Sequence, residues 1–256
     1  MAYNEFAYFY DDLNSEADYD ALYQYICTQL KAHGVEQGIV ADLGCGTGDL
    51  TLMLAQAGYD MIGIDQSEEM LSVLRQKADE LGLLPRVLLL HQNILELDLY
   101  GTIRAAVSTF DTYNHIGPCE RFERAVGQAG FFMEKGGVFV FDLNTPFKHE
   151  KVLADNTFSI ECPDAVCTWH NHYDPEQKAV HIVIDIAYAD AQPPVHEEFH
   201  EYTYTLPYVE QILERCGFSL AQVRDGETFG ELKPDSQRYI FTAIKRYTQQ
   251  GEVKDA

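Results

Sequence analysis

Basic residues are scarce in this 256-residue sequence: 18 Lys and Arg stand against 41 Asp and Glu, a formal net charge of −23. The deficit is sharpest in residues 1–30, which contain no base, and in residues 151–205, whose only bases are Lys151 and Lys178. Protein affinity for nucleic acid comes largely from Lys and Arg that neutralise phosphates, so we expect no nucleic-acid partner. The acidic segments either serve solubility alone or flank a pocket for a neutral or cationic small molecule.

Other features that are missing exclude further classes of protein. No apolar run approaches the ~18 residues that a membrane span needs, so we expect no membrane partner. The first residues show no basic region followed by an apolar block, which disfavours a secretory signal. Six cysteines form no CxxC pair and no regular framework, which predicts reduced thiols and a cytoplasmic location.

The remaining pattern is that of a folded α/β protein. Short apolar runs, typical of buried strands, alternate with segments of helical spacing, and this alternation predicts a mostly parallel sheet with helices on both faces. The predicted strands are 38–44, 59–65, 86–94, 103–111, 137–144 and 238–246, and the predicted helices are 15–33, 49–58, 67–82, 119–137 and 207–218. Residues 157–205 alternate polar and apolar with period two, which predicts antiparallel β structure inserted after the fifth strand.

The stretch ADLGCGTGDLTLMLAQAGYDMIGID, residues 41–65, carries the strongest functional signal. Its glycines follow one predicted strand and open a helix, where open α/β sheets bind ligands, and Asp65 ends the next strand at a distance that suits ribose hydroxyls. A dinucleotide fingerprint would need a third glycine where Asp49 stands, and that carboxylate would repel a pyrophosphate. The spacing of Asp42, Gly44, Gly46 and Gly48 therefore favours S-adenosylmethionine, which has no phosphate, over NAD or FAD.

ADLGCGTG and the following IGIDQSEEML resemble motif I and its successor in class I S-adenosylmethionine-dependent methyltransferases. YDDL (10–13), FDTYN (110–114) and FDLNTP (141–146) are similar to segments of a bacterial, small-molecule subgroup of undefined substrate. The resemblance is close over residues 35–145 and looser in the closing helix and strand. It implies a Rossmann-like sheet of seven strands, divided as an N-terminal helical segment over the donor site (1–34), a donor-binding core (35–150 and 206–248) and an antiparallel lid (151–205).

The resemblance also implies roles for matched positions. Asp65 would hold the ribose hydroxyls, with Gln66 and Met70 against the adenine, although Met70 could equally be a core residue. Asn93 departs from the usual Asp, and we expect its side-chain oxygen to accept from the adenine amino group. The implied donor-binding residues are Tyr10, Asp42, Gly44, Cys45, Gly46, Asp65, Gln66, Met70, Asn93, Ile94, Phe110 and Asp111. Tyr10 could instead be a packing residue.

The sequence says less about the residues that would bind the methyl acceptor. Methyl transfer from a sulfonium is an in-line displacement that mainly needs alignment, so no obligatory catalytic residue is expected. His170 and His172 share one face of a predicted lid strand, where they either accept a proton or face solvent. Two histidines without a clear third ligand do not make a metal site, so we expect no metal. Asn114 and Asn144, which follow strands, and Trp169 in the lid are candidate substrate contacts, and Asn144 is also a candidate catalytic residue.

Two functions remain open. The first is methyl transfer to an N or O nucleophile of a neutral or cationic small molecule. The alternative is a sensor or interaction module that binds S-adenosylmethionine or S-adenosylhomocysteine without transfer.

Overall fold

The computed structural model describes residues 17–162, 165–189 and 193–246. Its five helices within these ranges are α1 (Tyr19–Ala32), α2 (Asp49–Gln56), α3 (Glu68–Glu80), α4 (Cys119–Phe132) and α5 (Leu206–Arg215). The strands are β1 (Ile39–Leu43), β2 (Asp60–Asp65), β3 (Val87–His91), β4 (Ile103–Ser108), β5 (Met133–Asn144), β6 (Thr157–Cys162), β7 (Ala165–Asp174), β8 (Ala179–Tyr188), β9 (Val195–Tyr202), β10 (Phe218–Asp225) and β11 (Arg238–Lys245).

Seven strands form one sheet in the order β10-β11-β5-β4-β1-β2-β3. Strands β1 to β5 run parallel, and β11 is antiparallel to both of its neighbours. The predicted fold, a seven-stranded and mostly parallel sheet, is confirmed.

Burial on both faces of this sheet explains the continuous apolar runs. On β4, Ala106 belongs to the core under α4 and α5, whereas Ala105 and Val107 belong to the core under α1 and α2. Successive strand residues point to opposite faces, so a strand that is covered on both faces is apolar along most of its length.

The predicted antiparallel insertion is the second sheet, in the order β6-β7-β8-β9. One face carries Cys167, Ile182 and Ile184, which pack together with Met70 of α3. The other face carries the polar side chains of the period-two alternation in residues 157–205. The contact through Met70 places this small sheet beside the glycine-containing loop after β1.

Several boundaries differ from the predictions. Helix α1 begins at Tyr19, capped by Asp18, whose side chain accepts from the Ala21 N–H at 2.9 Å. The predicted strand 103–111 ends at Ser108, because Phe110 and Asp111 both adopt a positive φ of 56° and a short 3₁₀ helix follows at Thr112–Ile116. The predicted helix 119–137 ends at Phe132, because Met133 is extended and pairs with Ile103.

Strand β10 was not predicted. It lies at the edge of the large sheet, its residues are mostly half-buried, and its sequence FSLAQVRD mixes polar and apolar side chains without a clear period. Within the described ranges, no helix has both the length and the hydropathy to cross a membrane.

Candidate active site

A cavity of about 420 Å³ lies at the carboxyl ends of the parallel strands β1, β2 and β4. We call one part of its lining the glycine-loop end, made by Gly44, Gly46, Asp65, Gln66, Met70 and Asn93. The other part is the histidine end, made by Phe110, His115, Phe199, His200 and Tyr202. This edge is where open α/β sheets bind ligands, and the volume falls within the range of small-molecule sites.

The loop after β1 requires glycine at two positions. Gly44 has φ 77°, and a Cβ there would lie 2.3 Å from Cγ2 of Thr112. Gly48 has φ 87°, and a Cβ there would lie 2.0 Å from Cδ1 of Leu74. A real Cβ atom could not come this close to another atom. Only glycine therefore allows the loop backbone to lie so near to Thr112 and Leu74.

Asp65 ties this loop to the end of β2. Its Oδ2 accepts from the Gly46 N–H and its Oδ1 from the Ser67 N–H, each at 2.9 Å. Burial raises the pKa of Asp65, and these backbone donors oppose the rise. The carboxylate is therefore held rigidly at the cavity wall, with further lone pairs for a ligand's hydroxyl groups.

Asp42 and Cys45 lie behind the loop and are not among the residues that line the cavity. The Asp42 side chain is 2 % exposed and accepts from the Thr51 hydroxyl at 2.5 Å. Burial raises its pKa to about 7. The Cys45 side chain packs against the core made by Leu52, Leu74 and Ala78, so only its backbone is directed away from that core.

Asn93 caps the 3₁₀ helix Ile94–Glu96 at the glycine-loop end. Its Oδ1 accepts from the Leu95 N–H at 2.8 Å, which leaves the side-chain amino group as its main free polar group. The sequence led us to expect this oxygen to accept from an adenine amino group; Oδ1 keeps a second lone pair for that contact, which stays a prediction. Met70 both lines the cavity and packs against the small sheet, so the two roles considered for it coexist.

The turn at Phe110 and Asp111 is strained, since two consecutive non-glycine residues have positive φ. Asp142 on β5 stabilises it by accepting from the Phe110 N–H at 2.8 Å and the Asp111 N–H at 2.7 Å. Arg238 on β11 donates to both Asp142 and Asp111, at 3.0 and 2.8 Å, and its guanidinium lies 5.9 Å from the Phe110 ring centre. The sequence analysis missed Arg238, which stands at the start of a strand far along the chain.

His115, at the histidine end, is a second residue of the site that no pattern in the sequence indicated. Its Nε2 lies 3.4 Å from Oδ2 of Asp111, and its ring centre lies 5.1 Å from that of Phe199. Burial acts to lower the pKa of His115, but the hydrogen bond to Asp111 and the charge of Glu201 together raise it. Glu201 on β9 is buried, and one ligand atom each from Asp111, His115 and Glu201 lie within 4.8 Å of one another.

Asn114 and Asn144 are buried and hold β9 to the core. Asn114 Nδ2 donates to the Tyr202 carbonyl at 2.8 Å, and Asn144 Nδ2 donates to Oε2 of Glu201 at 2.8 Å. Neither asparagine lines the cavity. Their side chains are therefore engaged in the protein and act on the site through Glu201 and β9.

The other predicted acceptor-site residues do not reach the cavity. His170 and His172 lie on the outer face of the small sheet, 49 % and 73 % exposed, beside Asp185 and Asp155. Trp169 points to the opposite face and packs with the small sheet's own core. Tyr10 lies outside the described residues.

Comparisons with known proteins agree on one family. A family model described as a methyltransferase domain matches residues 40–137. The Bacillus subtilis (strain 168) protein named "Putative methyltransferase YqeM" is 30% identical over 253 residues, covering 97% of this chain and 99% of that protein.

Solved structures show the same fold. A S-adenosylmethionine-dependent methyltransferase from Clostridium acetobutylicum ATCC 824 superposes with a TM-score of 0.85 at 24% identity, covering 96% of this chain and 99% of the other. CalS10, an amino pentose methyltransferase from Micromonospora echinaspora solved with bound S-adenosylmethionine, gives 0.73 at 16% identity, covering 96% and 98%.

The residues at the glycine-loop end fit S-adenosylmethionine. The loop backbone is open to close approach, and the Asp65 carboxylate is held at the wall. Among the described residues no lysine or arginine lines this end to bind a phosphate. The methyl donor is therefore S-adenosylmethionine, and the chain belongs to the class I S-adenosylmethionine-dependent methyltransferases.

Proposed function

We propose that this enzyme transfers the methyl group of S-adenosylmethionine to a nitrogen or oxygen nucleophile of a neutral or cationic small molecule. The observation that carries the proposal is the single cavity that joins Asp65 and Asn93 at the glycine-loop end to His115 and Tyr202 at the histidine end. Donor and acceptor would occupy the two ends, with the reacting atoms near Phe110.

The residues of the glycine-loop end would hold the donor. The backbone at Gly44 and Gly46 would face its amino acid part, Asp65 its ribose, and Gln66 and Asn93 its adenine. Asp42 would act from behind the loop by its charge, and Cys45 through its backbone. Asp111 would act indirectly, through His115, while Ile94 and Met70 supply apolar surface to the cavity wall.

When bound, the donor supplies a methyl group on a sulfonium, which is already an activated leaving group. The protein has to align the nucleophile and exclude water, effects worth about 7–11 kcal/mol of barrier in well-oriented systems. His115 is within the cavity wall and is held by Asp111, so it can accept a proton from the nucleophile, a contribution of about 10²–10⁴-fold. His170 and His172 are too exposed for this role.

We infer the same division of the chain as the sequence suggested. Residues 35–150 and 206–248 would bind the donor, and residues 1–34 would cover that site. Residues 151–205 would close the histidine end through Phe199, His200 and Tyr202 of β9, which line the cavity. The acidic composition supports a small molecule over nucleic acid as the acceptor. Cys27, Cys45, Cys119, Cys167 and Cys216 are free thiols, which supports a cytoplasmic location.

A radiolabelled-methyl assay tests the proposal. The full-length protein is incubated with S-adenosylmethionine and a panel of amines, phenols, alcohols and carboxylic acids, while calorimetry measures binding of S-adenosylmethionine and S-adenosylhomocysteine. We expect donor binding and label transfer to at least one small molecule, both reduced by Asp65→Ala. The matched control is Asp60→Ala on the same strand, an exposed residue that pairs with Arg86. Tight donor binding with no transfer, even to a cell extract, would support the sensor alternative.

A further inference from the structure

We propose that the histidine end is an ammonium subsite: it recruits the acceptor as a protonated amine, and His115 takes the proton that must leave before the nitrogen can be methylated. This inference rests on the proposed function and narrows its acceptor from any N or O nucleophile to an amine. It follows from the charges that surround the cavity wall and from the hydrogen bonds that fix them.

The buried charges behind the histidine end do not balance. Among the described residues three carboxylates meet there, and two permanent cations lie beside them: Arg238, 15 % exposed, and Lys148, which is half-buried and donates to Asn144. The three carboxylates are Asp111, Asp142 and Glu201. Arg121 also lines the cavity, but its side chain is exposed on α4, where water and salt screen its charge. One negative charge therefore remains at this largely buried wall of the cavity, and it needs a proton or a cationic ligand.

Two histidines contact this excess charge, and their hydrogen bonds distinguish them. His149 is completely buried; its Nε2 lies 3.0 Å from Oε2 of Glu201, and its Nδ1 has no hydrogen-bond partner among the described residues. A second proton on His149 would create a buried N–H donor without an acceptor, which is costly. A single proton on Nε2 satisfies the contact between His149 and Glu201, so the exchangeable proton belongs to His115.

An amine fits this arrangement and an alcohol does not. The ammonium brings one positive charge to the excess carboxylate, and its proton then passes to neutral His115. The freed nitrogen lone pair forms the bond to the methyl carbon as the carbon–sulfur bond breaks and its electron pair stays on sulfur. The total charge at the site is the same before and after this proton transfer. A neutral alcohol would leave the carboxylate uncompensated while His115 is in its base form.

The aromatic lining favours the same ligand class. Phe199 and Tyr202 lie at the histidine end, and the face of such an aromatic ring attracts a cation. A divalent metal on Asp111, His115 and Glu201 is less favoured, because Arg238 already occupies one oxygen of Asp111 and Asn144 already occupies one oxygen of Glu201. The test described below would detect binding that depends on such a metal.

The test follows His115 by NMR in full-length protein labelled with ¹³C-histidine and saturated with S-adenosylhomocysteine. The probes are cyclohexylammonium and cyclohexanol, which match in shape and differ in charge. The test variant is Glu201→Gln, and the control is Glu198→Gln, an exposed carboxylate on the same strand. Asp111→Asn is a second test variant in case Glu201→Gln fails to fold.

We expect cyclohexylammonium to shift the His115 signal and to bind at least about tenfold more tightly than cyclohexanol. Glu201→Gln or Asp111→Asn should lower the pKa of His115, because each removes a carboxylate beside the ring, and should abolish the preference for cyclohexylammonium. Glu198→Gln should change neither. Equal binding of the two probes, or binding that requires added Mg²⁺ or Mn²⁺, would overturn the inference. Loss of S-adenosylhomocysteine binding or of all methyl transfer is instead a failure of the proposed function, so the two failures are separable.

Discussion

Arg238 bridges Asp111 and Asp142, two carboxylates that come from different parts of the chain and meet beside the cavity. Its Nη2 lies 2.8 Å from Oδ1 of Asp111, and its Nη1 lies 3.0 Å from Oδ2 of Asp142. Asp142 also accepts from the N–H groups of Phe110 and Asp111, so the same network fixes the strained turn. The network positions Phe110 at the cavity and Asp111 against His115.

Asp142→Ala should lower the free energy of unfolding by about 3–5 kcal/mol, because it leaves two backbone N–H groups without their acceptor and removes one of the two carboxylates that pair with Arg238. Chemical denaturation in urea measures the change. Glu123→Ala is the comparison, since it breaks the exposed pair with Arg215 and should cost about 1 kcal/mol or less. Equal losses in the two variants would contradict the role of Asp142.

Asp65→Ala should weaken S-adenosylhomocysteine binding by about 1.5–3 kcal/mol, the range for hydrogen bonds to a charged group. Part of the loss will come from the loop, because the Gly46 N–H loses its acceptor as well. Calorimetry measures the affinity, and Asp60→Ala is the control. An unchanged affinity would exclude Asp65 as the ribose-binding residue.

Asn93→Asp should tighten donor binding by about 0.5–1.5 kcal/mol, the net value of one hydrogen bond. The variant keeps the cap on Leu95 and replaces the free amino group by an oxygen that can accept from the adenine amino group. The same calorimetric titration detects the gain. Weaker binding would mean that the Asn93 amino group itself contacts the donor.

Donor affinity should depend on the protonation of Asp42. Its pKa is raised to about 7 from 3.8, so the folded state holds more protons than the unfolded state between these values, and stability falls as pH rises through this interval. The cationic donor favours the ionised form, so its affinity should rise by up to about tenfold from pH 6 to pH 8. Asp42→Asn should remove most of this rise. An identical pH profile in the variant would show that another group titrates.

His115→Gln should reduce kcat by about 10²-fold or more and leave S-adenosylhomocysteine affinity nearly unchanged, because His115 serves the acceptor. His170→Ala and His172→Ala should leave both parameters within about twofold, since these side chains are exposed on the outer face of the small sheet. Steady-state kinetics with an identified acceptor compares the three. A large loss of turnover in either outer-face variant would contradict the assignment of His115.

The fold and the donor loop could be predicted because their signals are local. Strands such as β5 contain continuous apolar runs (GVFVF, 137–141) because both faces are covered. Gly44 and Asp65 stand within one strand–loop–helix–strand unit. The ends of elements were less predictable. The early end of β4 depends on the hydrogen bonds from Asp142, which lies 32 residues away from Phe110.

The histidine end could not be predicted in the same way, because it is assembled from distant segments. His115, Glu201 and Arg238 come from a short helix, the small sheet and the last strand, and no spacing in the sequence relates them. Alternation did show that His170 and His172 share a face of one strand. It could not show that Trp169 and Asn171 take the inward face, which depends on the packing of the small sheet against Met70.

We expect the cavity to hold the methyl donor at the glycine-loop end, with its reacting part directed toward the histidine end. A crystal structure of the full-length protein with S-adenosylhomocysteine tests this most directly. We predict the ribose at Asp65, the adenine beside Asn93, and the sulfur directed toward Phe110 and His115. A ligand with its adenine at His115, or one bound outside this cavity, would contradict the account.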